Sequence, residues 1–174
     1  LKRRDERLAD ELLEILLERD EVVEDRFDGL IRRAQIIDLP EGATRDDLFA
    51  QAARVLADRV DGRPQPLEQA LRDREASSTT VLYATSEAPF AVPHAIVPGR
   101  GVLEVAVFRA TGGIRWGEEG PSVAGGFVLA GSRDARDEHL GALVAIAQLL
   151  RNGDFVRSWA QAESPEDLRR AVLL

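Results

Sequence analysis

Two histidines hold most of the reactive potential in this chain of 174 residues. His94 lies in Phe90-Ala91-Val92-Pro93-His94-Ala95-Ile96-Val97, an apolar extended run in which it is the only ionisable side chain. A neutral imidazole has one ring nitrogen free to attack phosphorus, provided a hydrogen bond on the other nitrogen fixes the tautomer. Pro93 has no N–H and pins its φ angle, so the backbone beside His94 is stiff enough to hold a nucleophile in one orientation. His139 falls in the first turn of a helical pattern beginning at Glu138, where the helix dipole lowers an imidazole pKa and attracts anions. Taken singly, His94 reads as a core residue and His139 as a surface one; the pair is more informative than either.

A third candidate group surrounds Arg74. With Glu75 it ends a helical pattern, and Ser77, Ser78, Thr79 and Thr80 follow directly. A guanidinium, hydroxyls and backbone N–H groups are the donors that can hold phosphoryl oxygens. Arg115 to Gly120 reads as a strand end and charged turn, with Trp116 as a packing residue. The chain has no Gly-x-x-x-x-Gly-Lys phosphate loop, no Gly-x-Ser-x-Gly elbow and no His-Glu-x-x-His metal helix, so no other catalytic template competes.

Composition narrows the function classes. Lys and Arg number 23 against 31 Asp and Glu, a net charge of -8, and such a field repels nucleic-acid backbones and anionic lipid surfaces. There are no cysteines and only two histidines, which excludes disulfides and thiolate metal sites and fits a reducing cytoplasm; no metal or cofactor is expected. The most apolar stretch, Gly141 to Leu150, is far short of the roughly 20 residues needed to cross a bilayer. The leading Leu-Lys-Arg-Arg-Asp-Glu-Arg has no apolar signal core, so export is not indicated. With no methionine, the sequence is expected to be a processed form or a piece of a longer protein.

The elements that must position these residues follow from periodicity and punctuation. Residues 1 to about 34 form an amphipathic pattern with Leu8, Leu12, Ile15, Leu16, Val23, Phe27, Leu30 and Ile31 at helical spacing among dense charges. We expect a helical connector over 1–37 and the main domain over 38–174, starting at the Asp38-to-Ala43 turn. Thr44 and Asp47 predict an N-cap for a helix to about Asp58, and Pro64 and Pro66 open a second that ends near Glu75. Extended runs are predicted at 79–83, 90–97, 102–109, 113–116 and 125–130. A helix follows to Leu150, stopped by Asn152-Gly153, and two short helices close the chain. Helices, then strands, then helices around one sheet imply a three-layer α/β or α+β domain.

The order Arg74-Glu75, Ser78-Thr79, Ala91-Val92-Pro93-His94, Ile114-Arg115-Trp116-Gly117 and Glu138-His139-Leu140 resembles enzyme IIA of the phosphotransferase system, in its fructose, mannitol and nitrogen-regulatory class. The resemblance covers about residues 40 to 174. It implies a mixed β-sheet flanked by helices on both faces, with the amphipathic N-terminal helix as an addition. It also implies that His94 accepts a phosphoryl group from the histidine-containing phosphocarrier protein, that His139 assists phosphoryl binding, and that Arg74 lies at the site, with Ser78 and Thr79 as ligand-binding residues. The chain departs from the family pattern at Ser78-Thr79-Thr80-Val81-Leu82, where a Gly-containing loop is usual, and at Ala95-Ile96, where a basic residue or Thr often follows. Domains of this kind resemble cytosolic regulators appended to membrane transporters. The expected partners are therefore the phosphocarrier protein or a transporter membrane domain, with a second copy of the chain a further candidate. The same fold serving only to bind a ligand or partner, without phosphorylation, is the alternative.

Overall fold

The computed structural model describes residues 20–60, 62–83 and 89–173; the leading pattern up to residue 19 lies outside them. The elements run α1 (Asp20–Arg33), β1 (Gln35–Leu39), α2 (Arg45–Ala57), α3 (Pro64–Ser77), β2 (Val81–Tyr83), β3 (Pro89–Ala91), β4 (His94–Val97), β5 (Leu103–Arg115) and β6 (Ser122–Ser132). A 3₁₀ turn (Arg133–Ala135) then leads into α4 (Arg136–Arg151), α5 (Gly153–Gln161) and α6 (Pro165–Leu173). The strands form one sheet in the order β1-β5-β6-β3-β2, with β4 also pairing β6. β1 is parallel to β5, and β3 and β4 are parallel to β6, whereas β5–β6 and β2–β3 are antiparallel. The fold is α/β with a mixed sheet, as the family resemblance implies.

Strand alternation sorts the core into two layers. Ala106, Phe108, Val128 and Ala130 face one side and meet Leu48, Phe49, Leu56 and Leu71 of α2 and α3. Val105, Val107, Phe127 and Leu129 face the other and meet Phe27 and Ile31 of α1, Ile146 and Leu150 of α4, Phe155 and Trp159 of α5 and Leu168 of α6. Helices thus cover both faces, and the two central strands are apolar on both sides.

Local chemistry sets the helix starts. Thr44 and Asp47 exchange side-chain-to-backbone hydrogen bonds in a full capping box at the head of α2, Pro64 opens α3, and Asn152 accepts from the Asp154 N–H at the start of α5. The strands differ from expectation in three places. β1 follows α1 after a single residue; its five residues carry no flanking Gly or Pro at the start, and its pairing with β5 rather than local pattern makes it a strand. The 90–97 run divides into β3 and β4 because Pro93 has no N–H for the ladder; its carbonyl still accepts from the Leu129 N–H at 3.0 Å. The runs at 102–109 and 113–116 are one strand, β5, with an irregular register between Arg109 and Ile114. Gly112 and Gly113 sit there at φ +82° and +81°, and a Cβ on Gly113 would lie 2.1 Å from Ser122 Oγ.

Candidate functional site

Three elements converge at one end of the sheet. Parallel pairing of His94 with Leu129 and Val97 with Ser132 lays β4 along the last residues of β6. The chain then turns through Arg133–Ala135 into α4, which brings His139 back over the strand ends. The C-terminal turn of α3 supplies Arg74 from the other side. The His94 and His139 rings are 5.2 Å apart between centroids, edge to face at 75°. Both are half-buried. Gly131 leaves room for the second ring: a Cβ there would stand 3.3 Å from His139 Nδ1.

The hydrogen bonds fix the state of His94. Nδ1 lies 2.8 Å from the Val92 carbonyl, and a carbonyl only accepts, so Nδ1 bears the proton and Nε2 the lone pair. Arg74 Nε–H donates to that lone pair at 3.1 Å, while Arg74 NH1 donates to the carbonyl and Oγ of Ser78, each at 3.0 Å. Burial lowers the His94 pKa below the usual imidazole value; the Arg74 charge acts in the same direction, against the Val92 hydrogen bond and the Glu75 charge. His139 is lowered to about 4, by burial first and then by His94 and Arg74. Both rings are neutral near pH 7, and each has a ring nitrogen able to accept.

The two rings border an open cavity of about 460 Å³, whose walls include Ala70, Arg74, Ile96, Arg133, Arg136, Leu140 and Leu143. Of the residues singled out in the sequence, His94, His139 and Arg74 meet here. Ser78 reaches the site only through Arg74, and Thr79 turns away, its Oγ1–H donating to Glu75 Oε1 at 3.1 Å. Sequence reasoning assigned no role in the site to Arg133 and Arg136; an Arg at 133 and 136 in step with His139 at a helical i, i+3 spacing is the signal that could have found them. Glu75, buried at 8% exposure, has a separate role: it accepts from Trp116 Nε1–H at 2.7 Å, Thr80 Oγ1–H at 2.6 Å and the Thr80 N–H. Trp116 is therefore packed and also hydrogen-bonded. Among the described residues, no group of three or more His, Asp or Glu is placed to hold a metal ion, and no helix is long and apolar enough to cross a membrane.

Over residues 29–173 the sequence matches the family described as "Phosphoenolpyruvate-dependent sugar phosphotransferase system, EIIA 2", and the chain belongs to that family. Its fold is that of solved enzyme IIA proteins. Nitrogen regulatory protein IIA-Ntr from Neisseria meningitidis superposes with a TM-score of 0.67 at 22% identity, over 79% of this chain and 91% of that one. IIA mannitol from Escherichia coli gives 0.61 at 21% identity, over 79% and 95%. The Escherichia coli enzyme IIAMtl in its complex with phosphorylated enzyme IIBMtl gives 0.62 at 22%, over 79% and 93%. No curated protein matches the sequence.

Proposed function

We propose that this domain carries a phosphoryl group on His94 Nε2, received from the histidine-containing phosphocarrier protein. The observation that supports this most directly is the 2.8 Å contact of Nδ1 with the Val92 carbonyl, which leaves the lone pair on Nε2 beside Arg74 and the open cavity. In the transfer, the Nε2 lone pair forms a nitrogen–phosphorus bond as the donor's own nitrogen–phosphorus bond breaks, and the donor imidazole leaves with that electron pair. No proton has to leave His94: Nδ1–H remains on Val92, and the charge on the ring is balanced by the phosphoryl oxygens. Arg74, displaced from Nε2 by the incoming phosphorus, is placed to donate to those oxygens instead, and His139 offers an uncharged partner on the far side. Ser78 holds the Arg74 guanidinium in position, and Thr79 steadies the same loop through Glu75.

Incubation with phosphoenolpyruvate, enzyme I and the phosphocarrier protein should add one acid-labile phosphoryl group, and His94→Ala should abolish it. An unmodified wild-type protein removes the carrier reading, and a modification that survives His94→Ala removes His94 as its seat. The proposal extends to the setting, a cytoplasmic regulatory domain of a transporter. Membrane-spanning helices encoded ahead of Leu1 are the expected outcome; a start codon close upstream would count against that part alone.

A further inference from the structure

The cavity is larger and differently charged than a transferred phosphoryl group requires. Pockets of a few hundred Å³ are the size that encloses small organic ligands, and this one, at about 460 Å³, has an apolar wall formed by Ala70, Ile96, Leu140 and Leu143. Ile96 is 58% and Leu140 42% exposed, so two large aliphatic side chains of this one cavity are open to solvent.

Three guanidinium groups line the same cavity. Arg74 is committed to His94 and Ser78. Arg133 and Arg136 make no ion pair or side-chain hydrogen bond among the described residues. Among the described residues no carboxylate lines the cavity beside them, although Asp134, Asp137 and Glu138 belong to the same segment. Asp134 accepts from the Gly101 N–H at 3.0 Å and from Ser132 Oγ–H at 2.6 Å, and Glu138 lies 3.7 Å from Arg26. In a chain of net charge -8, the cavity is lined, among the described residues, by three arginines and by no carboxylate, and bidentate guanidinium donors match phosphate oxygens.

Building on the reading of this cavity as a phosphate-handling site, we propose that in its unphosphorylated state the domain binds a small organic phosphate monoester. The phosphate lies between Arg133 and Arg136, and the carbon skeleton lies on Ile96, Leu140 and Leu143. Occupancy covers His94 and so opposes phosphoryl uptake, which makes the site responsive to the level of a phosphorylated metabolite.

Titration calorimetry with phenyl phosphate as the probe tests this on the full chain. Saturable 1:1 binding is expected, with inorganic phosphate at least about tenfold weaker for want of an apolar body, and with Arg133→Ala/Arg136→Ala at least about tenfold weaker than wild type. Arg133→Lys/Arg136→Lys, which keeps charge but loses the bidentate fork, should fall between them. No saturable binding to wild type, or equal affinity of the folded Ala variant, overturns the proposal. Phosphorylation of the wild type is scored separately. Phenyl phosphate binding by a protein that enzyme I and the carrier cannot phosphorylate would leave this proposal standing and remove the carrier reading. Phosphorylation without phenyl phosphate binding does the reverse.

Discussion

Arg74 and Glu75 are neighbours at the end of α3, yet they serve opposite ends. Glu75 points inward, where Trp116, Thr79 and Thr80 answer both of its oxygens. Arg74 points to the cavity and spends part of its hydrogen-bonding capacity on a nitrogen that also has chemistry to do. A buried ionisable group whose every lone pair is satisfied has no capacity left for a reactant, so it acts as a tether between the helix end, the following loop and the end of β5. A half-buried group with a replaceable partner can exchange that partner for a ligand. One helix end therefore carries a fixed charge and, next to it, an exchangeable one.

The contrast is broken most severely at Glu75. Glu75→Ala strands the Trp116 Nε1–H, the Thr80 N–H and the Thr80 Oγ1–H in a buried position, and each unsatisfied buried donor costs roughly 1–3 kcal/mol. Allowing for partial relaxation, we expect a loss of about 3 kcal/mol in unfolding free energy, read from urea denaturation with an unchanged slope. A loss within about 0.5 kcal/mol, the range of ordinary surface substitutions, would mean that the carboxylate is no tether.

Arg74→Lys probes the exchangeable side. An ammonium is a single point of charge and cannot reach His94 Nε2 and the Ser78 oxygens together, as the guanidinium does. Stability should change by less than about 0.5 kcal/mol, whereas the rate of phosphoryl uptake should fall by about tenfold, equivalent to about 1.4 kcal/mol in the barrier. A stability loss as large as that of the Glu75 variant, or an unaltered rate, would erase the distinction between the two residues.

The same distinction explains what was legible in the sequence. Val92-Pro93-His94 and Glu138-His139-Leu140 are short, local signals tied to a strand start and a helix start, and the structure brings both imidazoles together. The helix starts at Thr44 and Pro64 were readable for the same reason, since capping depends on residues within one turn, whereas Asn152, read as a helix stop, also caps α5. β1 was not, because the strand character of Ile36 and Ile37 comes from Val107 and Phe108, about seventy positions away in the chain. Neither was the role of Arg133 and Arg136: taken locally, that segment is only the approach to a helix, and the parallel register of β4 on β6 shows that its arginines border His94. The inward turn of Glu75 was hidden likewise, because its indole partner lies 41 residues away.

The smallest effect concerns protons. In the folded protein His139 titrates at about 4, against about 6.5 in an unfolded chain. Between those values the unfolded chain binds more protons than the folded one, so stability falls as pH is lowered from about 6.5 towards 4, and this contribution levels off below 4. His94, also lowered, adds in the same direction. Because the His139 ring is half-exposed and solvent screens its environment, we expect about 1 kcal/mol, well below the full value of the shift. The lowered carboxylates Asp47, Asp134 and Asp167 lose stabilisation only below their ordinary value near 3.8, beneath the histidine window. Comparing urea midpoints at pH 7 and pH of about 4.5 for wild type and His139→Gln isolates the imidazole term, since Gln does not titrate. The variant should lose less stability on acidification than the wild type. Equal losses would mean that His139 stays as accessible to protons in the folded protein as in the unfolded chain, and that the cavity beside it is wetter and less selective for anions than its apolar wall implies.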